Sequence, residues 1–139
     1  MEPRKGGQRG VRLRGLVEGQ AEAPVTVLDR PLSFYGEVDP ETGRLYNGDT
    51  VAGRILVLPS TRGSTVGPYV LYSLSKHGAA PAGIVVVRAE PLLVAGAVLA
   101  ETPLAEGMPA HLIRELKGRK CRGRLVSRPP AAELLLECS

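Results

Sequence analysis

The chain has 139 residues, a formal net charge of +4, 43% hydrophobic residues and 23% charged residues. These values suit one globular domain with a single core and exclude a disordered chain. No apolar run reaches the ~18 residues of a membrane span, and the basic, glycine-rich start lacks a signal-peptide apolar segment, so a soluble, cytoplasmic protein is expected.

Met1 to Gly10 carries Arg4, Lys5 and Arg9 among three glycines and is expected to be a mobile tail, with residues 11–139 forming one domain. Val11, Leu13 and Gly15 alternate with Arg12, Arg14 and Leu16, the pattern of a half-exposed strand from Val11 to Gly19. Pro24 to Leu28 is a second strand candidate, closed by the Asp29-Arg30-Pro31 turn. Leu32 to Gly43 then holds the single phenylalanine of the chain and ends in Asp39-Pro-Glu-Thr-Gly43. There proline fixes φ, glycine accepts a positive φ, and aspartate can bond its own backbone two residues on. Another glycine turn, Asn47-Gly48-Asp49, precedes the central stretch.

Ile55 to Leu58 is an unbroken apolar run ended by Pro59, too short for a helix and rich in branched side chains, so it predicts a buried strand. From Tyr69 onward, Tyr69, Val70, Leu71, Leu74 and His77 follow the period of an amphipathic helix, with Pro68 in its first turn and Gly78 past its end. Between strand and helix lies Ser60-Thr-Arg-Gly-Ser-Thr-Val-Gly67, with four hydroxyls, one guanidinium and two glycines. The first amides of a helix lack intrahelical partners and suit an anion, glycine lets backbone approach a ligand, and Arg62 can grip a carboxylate or phosphate in a bidentate way. A plain alternative stays open, in which Ser64 or Thr65 caps the helix and Arg62 is a solvated charge. The loop is neither a Walker P-loop nor a G-x-S-x-G nucleophile elbow.

Gly83 to Val87 is a second continuous apolar run, expected to pair in parallel with Ile55–Leu58 across the helix. Pro91 to Glu101 is apolar almost all round and predicts a short helix covered on most sides. The cations from Arg114 to Arg128 read as a solvated face or subunit contact, and Leu125-Val126 and Leu134–Leu136 as closing strands about the Arg128-Pro-Pro130 turn. Cys121 and Cys138 are too few for a zinc or iron–sulfur site by themselves and are expected as reduced thiols. Arginine outnumbers lysine fourteen to four, with twelve prolines and one asparagine, a bias that fits a heat-adapted source.

Three segments together carry a resemblance: Leu32 to Gly43, Ala52 to Leu71 and Gly78 to Val87. They resemble the swivel-domain family of the aconitase X proteins, and within it the free-standing small subunits that act on phosphomevalonate. The likeness covers about residues 11–110. It implies an α/β fold, a swivelling β/β/α domain with mixed or barrel-like strands and two or more packed helices. It also implies a larger catalytic subunit carrying a [4Fe-4S] cluster that this chain does not ligate, and dehydration of a phosphorylated hydroxy acid, (R)-5-phosphomevalonate, to trans-anhydromevalonate 5-phosphate in isoprenoid biosynthesis.

In that family the serine after Arg-Gly, here Ser64, is the proton acceptor, and Ser60, Thr61, Arg62, Gly63 and Thr65 would help hold the anionic substrate. Thr61 stands where a glycine is common and Pro68 where a serine is usual; neither removes Ser64 or Arg62. Gly36, Glu37 and Asp39 are further site candidates because the first motif runs through them, although Asp39 before Pro40 is equally what a turn would use. His77 suits a helix cap better than catalysis, and His111 has no partner in the sequence. Dehydration of cis-3-hydroxyproline is the rival substrate within the family. Outside it, a small basic nucleic-acid-binding domain would also fit the net charge, but five aromatic residues give few stacking platforms and no RNA-binding motif is present.

Overall fold

The computed structural model describes residues 8–45, 47–62 and 66–139. Among these, seven strands close into a barrel: β1 (Gln8–Val17), β2 (Gly19–Val27), β3 (Ile55–Leu58), β4 (Gly83–Val86), β5 (Leu104–Glu106), β6 (Cys121–Arg128) and β7 (Ala131–Cys138). The order round the barrel is β1-β5-β4-β3-β2-β6-β7. β2, β3, β4 and β5 run parallel, while β6, β7 and β1 complete the ring with antiparallel pairings. Four helices accompany them: the single irregular turn α1 (Phe34–Glu37), α2 (Gly67–Lys76), α3 (Pro91–Leu99) and α4 (Ala110–Leu116).

The continuous apolar runs follow from burial on two faces. Leu56 and Leu58 of β3, with Ile84 and Val86 of β4, pack against Leu71 and Leu74 of α2 and Leu93 and Ala97 of α3. Their alternates Ile55, Val57 and Val85 face the barrel interior with Val11, Leu13, Val25, Leu125, Leu134 and Leu136. α4 adds Leu112, Ile113 and Leu116 to that interior cluster. Its apolar face is therefore buried against that cluster.

The alternation read in the first strand holds, with Val11 and Leu13 buried and Arg12 and Arg14 exposed, and β1 already begins at Gln8. β2 starts at Gly19, five residues before the expected Pro24. Proline is tolerated there because pairing with β3 begins only at Val25, opposite Ile55. The parallel register of β3 with β4 and the hairpin of β6 with β7 agree with expectation.

Two expectations need correction. Val98 and Leu99 are 59% and 48% exposed, so α3 is not covered on most sides. Only its Leu93, Gly96 and Ala97 face are buried, because Gly96 lets α2 approach closely while the opposite side has no neighbouring layer among the described residues. Cys121 and Cys138 are not reduced thiols but a disulfide. They stand directly opposite each other in the β6–β7 ladder with Cα atoms 4.1 Å apart. β5 and α4 were not anticipated: β5 completes the parallel half, and α4 adds three buried side chains to the core.

Candidate functional site

The three segments that carry the resemblance meet at the carboxyl end of β3. Leu32 forms a parallel bridge with Thr61: the Leu32 amide donates to the Ser60 carbonyl at 3.2 Å, and the Arg62 amide donates to the Leu32 carbonyl at 2.8 Å. From the other side, the amides of Val87 and Arg88 donate to the Pro59 carbonyl at 3.0 and 3.3 Å. Backbone bonding thus ties the 32–43 segment and the end of β4 to the root of the loop. The end of a parallel strand at such a junction is where α/β sheets place their ligands.

Ser60 is half-buried, and Thr61 is buried with its hydroxyl donating to Glu90 Oε1 at 3.1 Å. Arg62 projects outward, and its Nη2 donates to Glu37 Oε2 at 2.6 Å. Gly63, Ser64 and Thr65, three of the residues singled out in the sequence, lie outside the described residues. α2 then starts at Gly67 with Val66 at its N-cap, a side chain with no acceptor for the first-turn amides, and Pro68 in the first turn. The loop runs into a helix as expected.

Glu37 receives more than one partner. Its Oε1 accepts the Ser33 amide at 3.3 Å and lies 3.4 Å from Nη1 of Arg30. Burial alone would raise this carboxyl, but the Ser33 amide, the Arg62 hydrogen bond and the charges of Arg30 and Arg62 together hold it below its ordinary value of 4.5. Arg30 and Glu90 were not singled out in the sequence: Arg30 stood in an apparent turn, and the Thr61–Glu90 contact spans 29 positions. Neither residue carried a local signal.

Gly36 and Asp39 lie beside this cluster. Gly36 has φ 93° in open surroundings, so its backbone conformation rather than crowding calls for glycine. Asp39 Oδ1 accepts the amides of Glu41 and Thr42 at 2.8 and 3.2 Å, the turn reading of this residue. Those two amides chiefly hold its carboxyl below 3.8. An open cleft of about 530 Å³ runs past Tyr35, Glu37, Asp39, Arg44 and Val70. The hollow lined by Phe34, Thr61, Arg62, Gly67, Pro68 and Glu90 measures only about 10 Å³, room for one water and no substrate.

His77 is the C-cap of α2, with Nδ1 placed 2.8 Å from the Ser73 carbonyl oxygen. The cations from Arg114 to Arg128 are all exposed. Among the described residues no group of three or more His, Cys, Asp or Glu is placed to hold a metal ion, and both cysteines are joined to each other. The described residues therefore do not fit an iron–sulfur cluster. Among the described residues no helix is long and apolar enough to cross a membrane.

A family model described as the aconitase X swivel domain matches residues 10–124. The phosphomevalonate dehydratase small subunit of Aeropyrum pernix is 49% identical over 106 residues, covering 76% of this chain and 80% of that protein. The protein of the same name from Methanopyrus kandleri is also 49% identical over 106 residues, covering 72% of this chain and 78% of its own length. A crystal structure of Thermococcus kodakaraensis aconitase X in its holo-form superimposes with a TM-score of 0.78 at 38% identity, covering 89% of this chain and 98% of that one.

Proposed function

The chain belongs to the aconitase X swivel-domain family, and on that premise we propose that it is the small subunit of a two-subunit hydro-lyase that converts (R)-5-phosphomevalonate to trans-anhydromevalonate 5-phosphate. The observation that carries the reading is the convergence of the three motif segments at the end of β3, beside the exposed guanidinium of Arg62. The small hollow there supports a pocket completed by another surface, since 10 Å³ encloses no substrate. Exposed Tyr35 on α1 and Tyr69 on α2 flank this rim and suit a docking surface. The iron–sulfur cluster is assigned to the larger subunit, and the assembled enzyme to the cytoplasm.

Within this chain Ser64 is the proton acceptor, taking hydrogen from the carbon next to the substrate carboxylate. A serine hydroxyl is too weak an acid to be ionised unaided at neutral pH, so the site must stabilise negative charge. Arg62 and the start of α2 are the groups available for that task, with Ser60, Thr61, Gly63 and Thr65 as further contacts.

The test is to reconstitute the chain with its larger subunit and follow water loss from phosphomevalonate and from cis-3-hydroxyproline. Phosphomevalonate is the expected substrate, and turnover of hydroxyproline alone would reassign it. Ser64→Ala should reduce turnover by about 10²- to 10⁴-fold while the subunits still co-elute. Near-normal turnover would remove Ser64 from its role.

A further inference from the structure

On the outer face of the antiparallel strands, exposed arginines stand level with carboxylates, Arg12 with Glu133 and Arg124 with Glu22. Such alternation is the ordinary state of a solvated sheet face. One region departs from it. An open cleft of about 990 Å³ gathers Arg54, Arg119, Lys120 and Arg122, and among the described residues Glu137 is the one acidic side chain of its lining. None of these four cations forms an ion pair with a described carboxylate. Glu137 accepts instead from Nε2 of Gln8 at 2.7 Å. With a carboxylate on Ser139 counted as well, the lining still holds an excess of positive charge.

The cations come from separate parts of the chain: Arg54 stands just before β3, Arg119 and Lys120 lie between α4 and β6, and Arg122 is in β6. Strand register assembles them. Arg122 is level with Pro24 of β2, and the next residue, Val25, is level with Ile55, which follows Arg54. Lys120 and Arg122 flank Cys121, which is tied to Cys138, and the Lys120 carbonyl accepts the Ser139 amide at 3.0 Å. Their backbone is thus held in place before any ligand arrives, which lowers the entropic cost of binding.

Like charges gathered in a concavity focus the potential and concentrate anions there. Guanidinium groups match the oxygens of a phosphate in pairs, and lysine adds a compact charge. A cleft of this size falls in the range of small-molecule sites, and a single phosphate would fill little of it.

We infer that this cleft binds a small molecule bearing two or more phosphate groups, held by Arg54, Arg119, Lys120 and Arg122. It shares no residue with the cluster of Glu37, Arg30 and Arg62 and does not rest on the substrate proposed above.

The full chain is titrated with inorganic pyrophosphate at constant ionic strength while the side-chain Nε–H signals of Arg54, Arg119 and Arg122 are followed by NMR. Saturable shifts of all three are expected, with inorganic phosphate binding about tenfold more weakly or worse. Arg54→Ala and Lys120→Ala should each weaken pyrophosphate about tenfold. Arg12→Ala removes the same charge from outside the cleft and should change the affinity less than about twofold.

Absence of saturation overturns the site, and so does an equal loss in Arg12→Ala, which would mean attraction to net charge alone. Equal affinity for phosphate and pyrophosphate overturns the assignment to a ligand with two phosphates. The titration is repeated by calorimetry on the chain assembled with its larger subunit, where binding should persist. Its disappearance there would overturn the ligand site and assign the four cations to the subunit contact.

Discussion

At the scale of single residues, the carboxylates of Glu37 and Asp39 contribute to the acid limb of stability. Both are held below their ordinary values, so the folded chain binds fewer protons than the unfolded chain across the carboxylate range. Stability from each is present above its ordinary pKa and is lost as pH falls through the depressed one. The urea midpoint should therefore decline from about pH 6 to about pH 3. Glu37→Gln should flatten part of that decline, and a decline of unchanged steepness would show that Glu37 is not held by its cations in solution. The strand and the helix on either side of the loop were legible because an apolar run and a helical period mark them. Arg30 was not, because its relation to Arg62 exists only once β2 and β3 lie side by side.

At the scale of elements, the contact between α2 and α3 turns on Gly96. A Cβ added there would meet Leu71 Cδ1 at 2.9 Å and the Pro68 Cα at 3.1 Å. The leucine tip can move, but the proline backbone at the start of α2 is less able to. Gly96→Val should destabilise the domain by about 1–3 kcal/mol through overpacking, although it removes a glycine from a helix interior. Chemical denaturation would measure it, and a neutral result would mean that the two helices separate at little cost. Where the loop site depends on the start of α2, the same variant should also weaken turnover in the assembled enzyme.

Most elements could be read because one physical signal dominated each. β3 and β4 are buried on both faces and so are continuously apolar, while β1 is buried on one face and alternates. β5 has three residues and α4 seven, too few for a period to declare itself. α3 misled because an all-apolar composition does not say which side lacks a neighbour. The disulfide depended on register: a separation of 17 positions acquires meaning only when β6 and β7 pair residue for residue.

At the scale of the whole molecule, Cys121–Cys138 ties the end of the β6–β7 hairpin opposite its turn. Replacing both cysteines with serine should lower stability by about 2–4 kcal/mol through the unfolded state, read as a reduced melting temperature under non-reducing conditions. The melting temperature should stay unchanged only if the hairpin ladder already suppresses the same freedom. Substrate affinity should not move, since the disulfide shares no residue with the Glu37 cluster.

Ring closure also constrains how the chain can be made. β1 sits between β5 and β7, so residues 8–17 have no lateral partner until residues 104–106 and 131–138 exist. A ribosome releases the first strand well before either of its neighbours. Until then the nascent polypeptide carries a strand with bare backbone on both sides, open to pairing with a stranger. Completion of the barrel thus waits for β7, and the long chain separation it must bridge slows the closure.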